Sequence, residues 1–294
     1  MELSSLIIIG IIIVTLAVGA WKRFEMTSVL LLGNLLIFFV GIFAAPNAVI
    51  RDLAFRPLYL ETGSDLYTLF TSMFIHASFL HLIGNMIFLF LIGTPLEQRI
   101  GKARFTAVYL IAGLGGGLVA AMLRLDTPFV FMLGASGAIS GVVGAMLLLY
   151  PRDEIPMVLG FLFLPKVPVW LSAVSWFLLS VLLYAFAPNS PVAWEAHLSG
   201  FLIGAFVAGA IGRKEVARRK AESQPSDYTD LEPLATTPQL RSALDVIRRE
   251  EQRDVRRAWL EYFAEHAKCP QCEGEVKYQG NKLICPCGYE INAR

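Results

Sequence analysis

Four polar side chains set in otherwise apolar stretches could do chemistry together: His81, Asn85, Ser136 and His197. A serine is a poor nucleophile until a base removes its proton, and histidine, with an unperturbed pKa near neutrality, is the side chain suited to that task. His81 and Asn85 are spaced i, i+4, so on a helix they share one face and can both donate hydrogen bonds toward a common point, as a developing oxyanion requires. If Ser136 opens a helix, its backbone N–H is a third donor, reinforced by the partial positive charge of the helix end. Each feature also has a plainer reading. A serine between Gly134, Ala135 and Gly137 can be a small packing residue, a lone intramembrane histidine can be structural or line an ion path, and an asparagine can tie helices together. The joint occurrence of all four favours nucleophilic catalysis by a Ser136–His197 dyad, with His81, Asn85 and the Ser136 N–H as the oxyanion site.

A second constellation lies at the other end of the chain. All the cysteines, Cys269, Cys272, Cys285 and Cys287, fall in the last 26 residues as C-P-Q-C, twelve residues, then C-P-C-G. Two thiol pairs on two turns suit a tetrahedral structural Zn²⁺ site of the zinc-ribbon kind, although the second pair is C-x-C where C-x-x-C is usual. The alternatives are disulfides, disfavoured in a reducing cytosol, and free thiols. His266 could be a further ligand, but its place at the end of a charged helix suits a surface residue. The tail shows no catalytic group, so its role is expected to be recognition or regulation through an unknown cytoplasmic partner.

The elements that must position these groups follow from composition. At 55% hydrophobic and 17% charged over 294 residues, with a mean hydropathy of +0.58, the chain is too apolar for an ordinary cytosolic enzyme. Residues 1–212 carry 20 charged side chains and residues 213–294 carry 29, so a lipid-soluble region precedes a water-soluble one. A net charge of +1, with no basic excess in either region, sets nucleic acid aside as a partner. Charge-free runs at 3–21, 26–50, 66–96, 105–123, 127–151, 167–194 and 196–212 predict seven spans. The first is an uncleaved helix, since Glu2 replaces the basic start of a secretory signal.

Every second connection is basic. Lys22 and Arg23, then Arg99, Lys102 and Arg104, then Arg152 and Lys166, then Arg213, Lys214, Arg218, Arg219 and Lys220 mark the cytoplasmic side. The alternate connections offset Arg51 and Arg56 with Asp52, Glu61 and Asp65, and Arg124 with Asp126. The N-terminus is therefore expected outside and the tail in the cytoplasm of a multi-pass cell-membrane protein. The third, fifth and seventh spans then run inward from outside, and their polar residues can meet at one depth in the outer leaflet. Gly137, Gly141 and Gly144 on one span and Gly200 and Gly204 on another let two of these helices touch.

At H-L-I-G-N (81–85), L-E-Q-R-I-G (96–101), G-A-S-G (134–137) and A-H-L-S-G-F-L-I-G (196–204), in this order, the sequence resembles the rhomboid family of intramembrane serine proteases over roughly residues 26–212. The resemblance implies an all-α six-helix core with one added N-terminal helix, and a Ser136–His197 dyad with an oxyanion site using His81 and Asn85. It also implies a first outer loop near 51–65 lying partly in the membrane, and transmembrane-helix substrates cut near their outer ends. One departure stands out: family members often carry, four positions after the nucleophile, an aromatic residue that backs the catalytic histidine, and Ser140 stands there. No carboxylate takes over the task, because Glu195 projects from another face than His197 and Asp126 lies in a loop ten residues before Ser136. A dyad therefore fits better than a triad.

The expected organisation is an extra transmembrane helix at 1–25, a protease core at 26–212, a flexible linker at 213–240, a charged amphipathic helix at 238–267 and a zinc-ribbon-like module at 268–294. Thr237 is the expected cap of the charged helix, with Leu240, Leu244, Ile247, Trp259 and Phe263 on its apolar face. Partners are the lipid bilayer and transmembrane protein substrates, and catalysis needs no cofactor. Two other functions fit a polytopic chain. A catalytically silent scaffold that binds transmembrane helices would have been favoured by loss of Ser136 or His197, and the presence of both argues against it; a transporter using His81 and His197 as proton relays would want inverted repeats, which the sequence lacks.

Overall fold

Long uncharged runs fold as helices in an apolar setting because every backbone N–H and C=O must find a partner within the segment. The computed structural model describes residues 1–21, 23–159, 162–186, 193–222, 228–250, 253–280 and 282–293, in two units, Met1–Val216 and Ala217–Arg294. The first unit is mostly helical. In chain order it contains α1 (Leu3–Ala20), α2 (Met26–Ala44), α3 (Pro46–Leu53), α4 (Leu58–Thr62), α5 (Thr68–Thr71), α6 (Phe79–Phe88), α7 (Thr94–Ile100), α8 (Lys102–Met122) and α9 (Ser136–Leu149). A hairpin of β1 (Glu154–Leu159) and β2 (Leu162–Pro168) follows, then α10 (Val169–Phe186) and α11 (Trp194–Glu222). Among the described residues, five helices are long and apolar enough to cross a bilayer: Leu3–Ala20, Met26–Phe43, Phe79–Ile100, Lys102–Met122 and Trp194–Ile211. Ser136–Leu149 and Val169–Leu178 are shorter apolar helices.

The helices depart from the charge-free runs where local chemistry interrupts them. Run 26–50 divides at Ala45, because Pro46 starts a new helix and forces the residue before it out of the α region. Run 66–96 is helical along its length only from Phe79, where the Ser78 hydroxyl accepts from the His81 N–H at 3.2 Å. Between α6 and α7, Leu89–Gly93 forms a π-helical turn. Pro95 follows it, and a proline ring crowds the carbonyl four residues back while donating no hydrogen bond, a conflict that a wider turn relieves. Run 127–151 becomes helical only at Ser136, since Met132 is occupied in backbone pairing with Phe55, at 2.8 and 3.0 Å, and Gly134 has φ +115°. The connection at 152–166 holds the unexpected hairpin, whose register runs from Glu154 opposite Pro168 to Leu159 opposite Leu162, with an irregularity between Ile155 and Met157 at Pro156.

Two polar fastenings hold the ends of the first helices. At one end, Asp52 of α3 accepts from the Glu2 N–H at 2.8 Å and from Ser5 at 3.0 Å, capping α1, while Arg51 pairs with Glu2 at 3.0 Å. Against some desolvation, these donors together with the chain's N-terminal charge and Arg51 hold the Asp52 carboxyl below its usual range. At the other end, Lys102 donates to the carbonyl of Gly19, which the end of α1 leaves without a helical partner, and to those of Trp21 and Phe24 in the connection to α2. Glu97, buried at 4% exposure, accepts from the N–H groups of Met26 and Thr27 and from the Thr27 hydroxyl, each at 2.7 Å, and so caps α2 from within the core. A buried carboxylate is tolerated here because its lone pairs are filled by donors at a helix N-terminus.

The second unit has its own core. Thr237 caps α12 (Pro238–Arg249) by accepting from the Leu240 N–H at 3.2 Å. The charged stretch expected as one helix over 238–267 forms two, α12 and α13 (Arg253–His266), with residues 251–252 outside the described set. Leu240, Leu244, Ile247 and Phe263 are buried together and Trp259 packs against them. The stretch expected as a linker at 213–240 is in part structured: α11 continues to Glu222, and Thr229–Leu234 forms a 3-10 helix that buries Leu231 and Leu234 because both face the same small core. Residues 223–227 of that stretch lie outside the described residues. The unit ends in a three-stranded antiparallel sheet of β3 (Lys277–Gln279), β4 (Lys282–Ile284) and β5 (Glu290–Asn292).

Candidate active site

The crossing of α9 and α11 positions the dyad. A Cβ on Gly200 would fall 2.3 Å from the Gly137 carbonyl oxygen, and one on Gly204 would fall 2.2 Å from that of Gly141, so only hydrogen at these positions lets the backbones meet. Ser136, the first residue of α9, thereby faces His197 in the first turn of α11, and Ser136 Oγ lies 2.8 Å from His197 Nε2. This is hydrogen-bond reach for a nucleophile and its base. Because Ser136 opens its helix, its N–H has no acceptor within α9. The start of α11 is secured by Arg124, which donates to Glu195 from Nε at 3.0 Å and from Nη2 at 2.8 Å. The Glu195 carboxylate is thus occupied with Arg124, in keeping with its placement off the His197 face.

His81 reaches the same place from α6. A Cβ on Gly134 would lie 2.8 Å from His81 Nε2 and 3.9 Å from Ser136 Oγ, so the imidazole and the serine both lie against this glycine, whose positive φ already excludes most other residues. Asn85 is buried one turn below and donates from Nδ2 to the His81 carbonyl at 2.9 Å. An amide nitrogen carries two donors, so this bond leaves Asn85 one more to offer. The loop before α6 also buries His76, whose ring stands edge-on to His81 at 5.1 Å between centroids. Trp176 of α10 lies beside His197, with ring centroids 5.8 Å apart. Sequence reasoning missed Trp176, since nothing local sets it apart from Trp170 and Trp194 in the uncharged run 167–194.

In the tail, Cys269, Cys272, Cys285 and Cys287 converge with all their sulfur atoms within 4.8 Å of one another. Sγ–Sγ separations of 3.6 Å for Cys269–Cys287 and 3.4 Å for Cys272–Cys285 rule out disulfide bonds between them. They approach the roughly 3.8 Å edge of a tetrahedron with Zn–S bonds of about 2.3 Å. Backbone turns shape the site: the Cys269 N–H donates to the Gly274 carbonyl and the Cys285 N–H to that of Tyr289, each at 2.9 Å. Against desolvation, the N–H groups of Gln271 and Cys272 and the neighbouring thiols draw Cys269 down to about 7. Although the Cys287 N–H favours its thiolate, desolvation and the crowding of the other three sulfurs push Cys285 up to about 12. All four sulfurs could ionise this close together only with a cation to balance them, so the donor set fits a divalent soft metal. His266 is turned to the Tyr262 carbonyl at 2.8 Å and is not part of the cluster.

A family model described as the Rhomboid domain matches residues 63–214, more than half of the chain and all four polar residues of the site. The chain belongs to the rhomboid family. This rhomboid is 32% identical over 121 residues to RHOMBOID-like protein 6, mitochondrial, of Arabidopsis thaliana, which covers 39% of this chain and 38% of that protein. It is 28% identical over 151 residues to Rhomboid-like protease 3 of Toxoplasma gondii, covering 51% and 53% respectively. It is also 40% identical over 90 residues to Inactive rhomboid protein 1 of Drosophila melanogaster, 31% of this chain and 6% of that one. The chain spans about half or less of the length of these curated relatives. Because relatives named as protease and as inactive both occur, family membership alone does not decide activity. The matched region of this rhomboid begins after α1 and ends before the cysteine tail, which the family model does not describe.

Proposed function

We propose that this rhomboid is an intramembrane serine endopeptidase that cuts transmembrane-helix substrates near the outer leaflet. The observation that carries the reading is the 2.8 Å approach of Ser136 Oγ to His197 Nε2. In the proposed reaction His197 takes the Ser136 proton as Oγ attacks the scissile carbonyl carbon. The carbonyl oxygen becomes an oxyanion, held by the Ser136 N–H, His81 and Asn85. His197 then gives the proton to the departing amine, and the C–N bond breaks to leave an acyl-Ser136. Water attacks that ester while His197 takes its proton, releasing the carboxylate product and restoring Ser136. A scaffold function, with helix binding but no cleavage, is the rival. The presence of both dyad residues at bonding distance counts against it.

The proposed architecture is six core helices beginning with α2, with α1 as an added seventh. The N-terminus is outside and the tail in the cytoplasm, as the alternation of basic connections supports. In the tail, Cys269, Cys272, Cys285 and Cys287 would hold one Zn²⁺, which supplies folding free energy to a module with few apolar residues and takes no part in proteolysis. The test of the protease reading uses purified full-length protein in detergent with a fluorophosphonate probe and a model transmembrane substrate. Wild-type protein is expected to be labelled and to cleave, and Ser136→Ala to do neither. Cleavage by Ser136→Ala at the wild-type rate, or a folded wild-type protein that binds the substrate without cutting it, would overturn the reading.

A further inference from the structure

Packing against a ring can help to fix the orientation of a dyad's imidazole, and the residue at the family's aromatic position here is Ser140. Ser140 is fully buried on α9, one turn beyond Ser136, and its hydroxyl accepts from Trp176 Nε1 at 3.0 Å. The indole is 7% exposed and lies tilted by 41° against His197, with ring centroids 5.8 Å apart. Phe88 of α6 meets the same indole edge-on, at 4.5 Å and 71°. The small side chain at 140 leaves room for a large ring, and α10 delivers that ring, held by the hydrogen bond to Ser140 and the contact with Phe88.

We propose that Trp176 is the positioning residue for His197, latched by Ser140, so that the aromatic support usually carried on the nucleophile's own helix comes here from a neighbouring one. The inference rests on the protease reading and deepens it. Its physical content is twofold. The indole limits the rotations of the His197 ring to those that keep Nε2 on Ser136 Oγ, which raises the share of reactive conformers. When His197 accepts the proton, it becomes a cation 5.8 Å from the centre of an indole, the most favourable aromatic partner, so the contact is stronger in the transition state than in the ground state. Loss of the ring should therefore lower kcat and leave KM nearly unchanged.

The test is steady-state cleavage of a model transmembrane substrate by full-length protein in detergent, with the fluorophosphonate labelling rate and the thermal unfolding midpoint measured in parallel. Trp176→Leu should lower kcat about tenfold, with KM within about twofold of wild type. Trp176→Phe, which keeps a ring but not the N–H, should fall between, and Ser140→Ala should lose a few-fold. The double variant Ser140→Tyr with Trp176→Ala returns an aromatic ring to α9 and should recover part of the kcat lost in Trp176→Ala, which a merely structural role would not predict. Wild-type kcat in both Trp176→Phe and Ser140→Ala would overturn the inference. So would a Trp176→Leu variant whose lost activity follows its lost stability and is not regained in the double variant. An active wild type with unaffected variants removes this inference alone; a folded wild type that neither labels nor cleaves removes the protease reading with it.

Discussion

The two units keep their functional side chains in place by different means. In the first, Ser136 and His197 are brought together by helices whose backbones touch at Gly200 and Gly204, with polar fastenings at Glu97, Lys102 and Arg124. No ion is needed for Ser136 to meet His197. In the second, a core built largely from one face of each of two short helices adjoins four thiols that repel one another once ionised. The lesson is that a site built on close helix packing is preorganised by the chain alone, whereas a site of like charges is completed by what it binds.

The comparison can be broken most sharply at the dyad. Ser136→Ala and His197→Ala should each lower kcat by about 10⁴-fold or more; Ser136→Ala, which removes one hydroxyl, should leave both units unfolding at their wild-type temperatures, whereas His197→Ala also loses a buried ring packed beside Trp176 and should lower the first unit's midpoint modestly. A large fall in the unfolding midpoint of either variant would mean that the dyad also holds the fold. Next in size, His81→Ala and Asn85→Ala should cost about 10²–10³ in kcat, the range for one oxyanion donor. Wild-type kcat in both, and in the double variant, would reduce them to helix-joining residues.

The contrast between the units is sharpened by treating the tail alone. Elemental analysis should find about one zinc per full-length chain, and a strong chelator, or Cys269→Ser with Cys285→Ser, should abolish the tail's cooperative unfolding. Cleavage in detergent should survive these changes, as it should survive truncation near residue 215. An inactive but folded truncated protein would show that the tail serves the chemistry. The smallest expected effect is at Asp52. Its folded carboxyl has a lowered pKa, so its stabilisation of α1 is complete above the unfolded value near pH 4 and is lost as pH falls through the lower folded one. Asp52→Asn keeps an acceptor for the Glu2 N–H but removes the charge at the start of α1, so it should cost about 0.3–1 kcal/mol at neutral pH, and should flatten the acid limb of a stability-against-pH curve. An unchanged acid limb would move the cap's role elsewhere.

The sequence by itself determined the features that composition and short spacing dictate. Long apolar runs without charge favour helix over most of their length in lipid, glycines at i, i+4 on a helix share one face, and Cys269, Cys272, Cys285 and Cys287 in the last 26 residues must be local to one another. That was enough to name Ser136, His197, His81 and Asn85 as one group. The tertiary structure alone decided matters that depend on partners distant in sequence. Hydrophobic periodicity does not tell that 154–168 pairs as a hairpin, because a strand exists only by virtue of its neighbour. It does not tell that 127–135 stays out of the helix, with Met132 paired to Phe55, until Ser136 begins α9. Above all, the absence of an aromatic residue at 140 was legible as a gap, but not as a space filled by Trp176, 36 residues further along. Which ring enters a gap is settled by the geometry of three helices at once, and no spacing along one helix encodes it.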